Sequence, residues 1–288
     1  MQHPLALAHL TLLGSSPPTL IEVAGEAGFT MVGVRVLPAT SAEVRYPLGA
    51  GTPLLARTRR ALAATGITVL DVEALSLDGT MNAEQWLPAL ETAAELGAMV
   101  LNVIGSDPDR SRLIESFSSL CSDADQHGIR ASLEPISYQP VATVFDAIDV
   151  VEASGCGGMM LDTLHFHRAG SVPEDVSRVP GSLFSVVQLS DGPISPRTDV
   201  SVPEYDPMAQ AGESSPRIIE SRVLRDLPGH GVFPLTEILR RVPAGIPVSV
   251  EVPNPRLIAE IGPVSYAKRA HAAARKTLNN AHSVQPVE

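Results

Sequence analysis

The consecutive stretches "AMVLNVIG" (98–105), "RSRLIESFSSLCSDADQHG" (110–128) and "IRASLEPIS" (129–137) read as one strand–helix–strand unit. The outer pieces are continuous apolar runs, the pattern of strands buried on both faces. The middle piece has helical periodicity and closes at a glycine, a common helix stop.

The same unit recurs in both directions. Toward the N-terminus lie strand-like "LALAHLTLLG" (5–14), "FTMVGVRVLP" (29–38) and "ITVLDVEALSL" (67–77). Helical patterns follow each of them over 17–28, 53–66 and 82–97. Toward the C-terminus, strand five (129–137) is followed by a helix over 143–155. Strand six is "GGMMLDTLHFH" (157–167), with a short helical piece near 173–179. Strand seven is "LFSVVQLSDG" (183–192) and strand eight "IPVSVEV" (246–252), with helices over 235–242 and 264–280. Eight βα units in 288 residues predict one α/β domain over 1–288, a closed (β/α)8 TIM barrel rather than a doubly wound open sheet. No short fixed-period repeat suggests a solenoid.

One segment breaks the rhythm. Residues 192–234, rich in Pro, Ser and charge, form a long loop after strand 7. A connection this long in a compact domain is usually functional, and it leaves the strand end where barrel active sites sit. It reads as an insertion covering the active site.

Composition narrows the function. The chain is 44% hydrophobic and 18% charged, enough for a large core, with a formal net charge of −11. The absence of a basic run argues against nucleic acid as partner. No stretch has the length of a membrane span. The N-terminus reads as a first strand rather than a signal peptide. Cys121 and Cys156 form neither a disulfide framework nor a CxxC site. These features predict a cytoplasmic chain. Lysine occurs only at 268 and 276, in the C-terminal helical stretch, which disfavours Schiff-base chemistry.

Polar residues at the C-terminal ends of barrel strands face a shared centre. Strand five ends with Glu134, strand six with Asp162, His165 and His167, strand seven with Gln188 and Asp191, and strand eight with Glu251 and Asn254. Converging carboxylates repel unless a cation neutralises them. Glu134, Asp162 and Glu251 with the Gln188 amide oxygen make a hard, oxygen-rich set. It suits one divalent metal ion, Mn2+ or Mg2+ before Zn2+ or Co2+.

The order Glu134, Asp162-x-x-His165, Gln188-x-Ser-Asp191, Glu251 resembles the xylose isomerase-like barrel superfamily, which includes sugar isomerases, ketose epimerases, dehydratases and endonuclease IV. "LPGHG" (227–231) is similar to its Pro-Gly-x-Gly turn. The resemblance places metal ligands at Glu134, Asp162, Gln188 and Glu251, and a substrate-facing histidine at His165. Most isomerases and epimerases of the superfamily carry His where Gln188 stands. Glutamine there resembles the 3-dehydroshikimate dehydratase branch.

Such a site suits removal of a proton α to a carbonyl, with catalytic candidates His165, Glu134 and Glu251. The expected substrate is a small polyhydroxylated carbonyl compound, with a carboxylate open if Arg35 acts as a clamp. The other reading of Arg35 is an ion pair with Glu73. Asn102, His167, Arg225 and His230 complete the substrate-binding candidates. His9 reads as a core or rim histidine. The expectation is a metal-dependent lyase of the dehydratase kind, with a sugar or keto-sugar isomerase or epimerase as the alternative. A non-catalytic binding or partner subunit is the rival from another class. A homo-oligomer stays open.

Overall fold

The computed structural model describes residues 3–39, 43–197 and 215–283. Eight parallel strands close into a barrel in chain order. They are β1 (Leu5–Leu7), β2 (Met31–Arg35), β3 (Thr68–Leu77), β4 (Val100–Gly105), β5 (Arg130–Glu134), β6 (Gly158–Asp162), β7 (Phe184–Leu189) and β8 (Val248–Val250). The β1–β8 ladder, Leu5 to Val248 through Leu7 to Val250, shuts the ring.

Helices α1 (Pro17–Ala27), α2 (Pro53–Thr65), α3 (Ala83–Leu96), α4 (Arg110–Gln126) and α5 (Val144–Ser154) follow the first five strands. Their apolar faces pack on the outside of the sheet to form the main core. A second, smaller cluster fills the barrel itself: Ala6, Met31, Leu70, Val100, Met160 and Val186, from six strands.

Most strands end earlier than in the sequence reading, and at two of them, and after the last strand, a helical element takes over. The expected 5–14 strand stops at Leu7, and His9–Leu12 forms a 3-10 turn. The expected 157–167 strand stops at Asp162. Its carboxylate caps a new helix, α6 (Thr163–Arg168), by accepting the backbone N–H groups of Leu164 and His165. An Asp that caps a helix ends the strand before it, so His165 and His167 lie on a helix. After β8, Asn254 caps an unexpected helix, α10 (Pro255–Ile261), which precedes α11 (Pro263–Ser283).

Between these elements lie the short α7 (Pro173–Val176), α8 (Pro216–Val223) and α9 (Leu235–Arg241). Residues 198–214 of the expected covering insertion lie outside the described residues. The remainder returns to the barrel through Asp191. Its backbone pairs with Asp226, and its carboxylate accepts the N–H groups of Gly229 and Phe233 at 2.9 and 3.0 Å. A side chain at Gly231 would strike that carboxylate and the Gly192 backbone, so this turn needs a glycine. Among the described residues, no helix is long and apolar enough to cross a membrane.

Candidate active site

Strand alternation builds the site. Val100, Met160 and Val186 belong to the apolar cluster inside the barrel. Two residues further along the same strands stand Asn102, Asp162 and Gln188. Glu134 and Glu251 stand two residues beyond the buried Ser132 and Ser249. A period of two keeps each such pair on one face. Five strands therefore raise a polar layer above an apolar plug. None of its five residues is more than 5% exposed.

Each carboxylate in this layer is held. Asp162 Oδ1 accepts from Leu164 N at 2.7 Å and His165 N at 3.0 Å. Asp162 Oδ2 accepts from Arg225 Nη1 at 2.5 Å. The other arm of that guanidinium, Nη2, lies 2.9 Å from Glu251 Oε2. Arg225 Nε donates to the Ser221 carbonyl at 2.7 Å, which fixes the fork. Gln188 Nε2 donates to Glu251 Oε1 at 3.0 Å, and Asn102 Nδ2 donates to Glu134 Oε2 at 2.7 Å.

Glu134, Asp162 and His165 each offer a ligand atom, and the three atoms lie within 4.8 Å of one another. The structure thus gathers two of the four expected ligands with His165. It ties the other two, Gln188 and Glu251, to each other and Glu251 to Arg225. The guanidinium reaches from β6 to the residue after β8, over the strand that carries Gln188.

The electrostatics show a surplus of negative charge. Burial, then the neighbouring Asp162, pushes the Glu134 carboxyl up to about 8. Burial also drives Glu251 well above the usual carboxylate range despite the Arg225 charge. Burial alone would raise Asp162 too, but Arg225, His165 and backbone N–H groups outweigh it and hold Asp162 low. Burial pulls His165 down to about 4, so its imidazole is neutral at ordinary pH. Its Nδ1 lies 3.3 Å from Ser137 Oγ, and the Tyr138 ring meets it edge-on at 5.4 Å.

These features fit a divalent ion. Three buried carboxylates face one guanidinium, and an added cation would keep all three ionised. Gln188 Oε1 is a buried carbonyl oxygen without a hydrogen-bond partner among the described residues. Such an oxygen costs free energy unless something binds it.

A cavity of about 100 Å³ opens on this layer, lined by Glu134, His165, Arg225 and Glu251 together with Arg35, Glu73 and Asn102. A larger cavity of about 330 Å³ adjoins it, sharing Leu10, Glu43 and Arg222, with mainly apolar walls such as Leu13, Val44 and Ile258.

The family model for the xylose isomerase-like TIM barrel matches residues 21–278. The chain belongs to this family. No curated protein matches it. Among solved structures, the IOLI protein with a bound zinc atom is 16% identical with a TM-score of 0.74, over 99% of this chain and 100% of that one. D-allulose 3-epimerase from Methylomonas sp., in complex with D-allulose, is 14% identical with a TM-score of 0.67, over 96% and 97% of the two chains. D-psicose 3-epimerase from Clostridium cellulolyticum H10, with D-tagatose, is 15% identical with a TM-score of 0.66, over 96% and 98%. At these identities the likeness to each is one of fold.

The other site candidates divide. Arg35 Nη2 lies 3.4 Å from Glu73 Oε2, and its Nε lies 3.7 Å from Glu43 Oε2, all three residues being buried. Glu73 also accepts the His9 N–H at 2.8 Å, while His9 Nδ1 accepts the Arg35 N–H at 2.7 Å. Gly33 makes room for this group, since a Cβ there would collide with Glu73. Arg35 and Glu73 line the cavity as an ion pair, and Asn102 spends its amide on Glu134. His167 and His230 do not line this cavity. His167 stacks on Phe233 at 4.2 Å, and His230 faces a separate surface cavity with Tyr266 and Arg269. Helix α6 turns His165 inward and His167 away.

Several lining residues escaped the sequence reading. Glu43 comes from the loop before α2 and Tyr138 from the loop after β5. Nothing in their spacing marks them. The bridging role of Arg225 is set by tertiary folding of the insertion. The cap that turns His165 inward was missed, because the stretch 157–167 reads as one strand; the signal was Asp162 itself, an N-cap residue type at the start of a helical turn.

Proposed function

We propose that this member of the xylose isomerase-like family is a metal-dependent enzyme that removes a proton α to a carbonyl on a small polyhydroxylated substrate. The cluster of Glu134, Asp162 and His165 within 4.8 Å carries this reading. Glu134, Asp162 and His165 would hold the ion, with Gln188 and Glu251 as the further donors the sequence pattern assigns. The zinc in one structural neighbour supports a divalent ion here, and the oxygen-rich set favours Mn2+ or Mg2+. When bound, such an ion acts as a Lewis acid on a substrate oxygen and stabilises enediolate charge.

The chain's own residues supply the rest. Glu134 and Glu251 are the candidate proton carriers. With a cation beside them both carboxyls ionise near neutral pH and can accept a proton. Asn102 orients Glu134 through its 2.7 Å bond, and Gln188 orients Glu251. His165, neutral and buried, offers either a ligand nitrogen or a hydrogen bond to a substrate hydroxyl. Burial of the layer excludes water and strengthens each of these interactions.

Isomerisation or epimerisation is the reading we favour. The sugar complexes of the two epimerase neighbours support a substrate of that class. Dehydration is the second reading, supported by Gln188. Its other support, a free carboxylate clamp at Arg35, is weakened by the pairing of Arg35 with Glu73 and Glu43. The test is a panel of keto-sugars, inososes and dehydroshikimate incubated with Mn2+-loaded protein in D2O. Deuterium entering α to the carbonyl without loss of water supports epimerisation or isomerisation, and a new ultraviolet chromophore from dehydroshikimate supports dehydration. A panel with neither outcome counts against α-proton chemistry and favours the binding-module reading.

A further inference from the structure

Arg225 holds a position that the metal reading leaves unexplained. Its side chain is 2% exposed, and its two terminal nitrogens bridge Asp162 and Glu251. Both carboxylates belong to the expected ligand set. A guanidinium is a rigid, planar fork that stays charged at any working pH. Bridging two carboxylates, it takes the place of a shared cation.

The arrangement has a geometric consequence. The atoms able to share an ion come from Glu134, Asp162 and His165, and Glu251 is not among them. Glu251 has its two oxygens committed, Oε2 to Arg225 and Oε1 to Gln188. Gln188 has turned its Nε2 toward Glu251, which leaves its own Oε1 without a partner among the described residues. Glu251 therefore stands outside the three-residue cluster, and its charged contact is Arg225. The arginine follows α8, in the returning part of the insertion. Its neighbour along α8, Glu220, is clamped to Arg168 by two bonds of 2.6 Å. The position of the guanidinium is thus tied to how α8 packs on α6.

We propose that Arg225 is a built-in competitor for the divalent ion: its guanidinium occupies Asp162 and Glu251, and must release Glu251 before the full ligand set can close on a metal. Arg225 thereby sets metal affinity and couples metal uptake to the packing of α8 on α6. The inference rests on the metal-dependent reading above.

Mn2+ titration of the full chain, followed by electron paramagnetic resonance of free Mn2+, tests it in three proteins: wild type, Arg225→Gln and Arg225→Lys. Circular dichroism checks that each is folded. Lysine keeps the charge but lacks the fork that spans both carboxylates. Competition for the ligands predicts that both variants bind Mn2+ more tightly than wild type, by about tenfold or more, a difference of about 1.4 kcal/mol. A gain in Arg225→Gln with Arg225→Lys unchanged would show plain charge repulsion and overturn the proposal. Equal affinity in all three would overturn it while leaving the metal reading intact. If none of the three takes up Mn2+, both fall. Should Arg225→Gln fail to fold, Arg225→Lys against wild type decides alone.

Discussion

Gln188 Nε2 donates to Glu251 Oε1 at 3.0 Å, joining the residue at the end of β7 to the one just past β8 inside the barrel mouth. Glutamine supplies both a donor and an acceptor from one amide. Here the donor orients a carboxylate and the acceptor stays free. Replacing Gln188 with leucine removes both and leaves a buried carboxylate oxygen short of a partner. The expected cost is about 1–3 kcal/mol of folding stability, read from urea unfolding without metal. Mn2+ affinity should fall as well. An unchanged affinity would take Gln188 out of the ligand set.

Arg168 and Glu220 form a buried pair that fixes α8 against α6. Breaking such a pair leaves one charge uncompensated and costs about 3–5 kcal/mol. Glu220→Ala should show that loss in chemical denaturation. Because α8 leads into Arg225, it should also raise Mn2+ affinity if Arg225 competes with the ion.

Arg35 should behave as a structural residue. It is buried with Glu73 and Glu43 as its partners. Arg35→Ala strands two buried carboxylates, and a loss of about 3–5 kcal/mol is expected. A carboxylate clamp would show the reverse pattern: stability near wild type with a raised KM for acidic substrates alone.

The pH dependence of the metal-free chain has a defined sign. Burial and Asp162 raise the Glu134 carboxyl from 4.5 to about 8 in the folded state. The folded form then binds more protons than the unfolded one, so this group's contribution is fully present below about 4.5 and is lost as pH rises toward 8. His165, lowered to about 4, acts in the opposite sense as pH falls below 6.5. Comparing wild type with Glu134→Gln isolates the first effect. The stability of wild type relative to the variant should fall between pH 4.5 and 8 without metal, and saturating Mn2+ should flatten that difference. A difference that is flat without metal would mean that Glu134 titrates like an exposed carboxylate.

The barrel and the polar layer were legible because both follow from short-range pattern. Continuous apolar runs alternating with helical periods predict βα units, and a period of two carries Met160 to Asp162 and Val186 to Gln188. The strand ends were harder. "MMLDTLHFH" is apolar enough to pass as one strand, yet the Asp162 carboxylate caps the backbone of Leu164 and His165 and starts a helix. That side-chain bond decides which histidine faces inward. Arg225 was legible as a candidate at the mouth, but its bridge from Asp162 to Glu251 was not. The bridge depends on how a long insertion folds back, and no sequence period records that.

The central claim is a divalent ion held by Glu134, Asp162 and His165, and metal stoichiometry tests it most directly. Equilibrium dialysis against Mn2+ should give one ion per wild-type chain. Glu134→Gln and Asp162→Asn, both still folded, should lose at least about tenfold in affinity. Wild-type protein that binds no Mn2+, or variants that bind it as well as wild type does, would contradict the account.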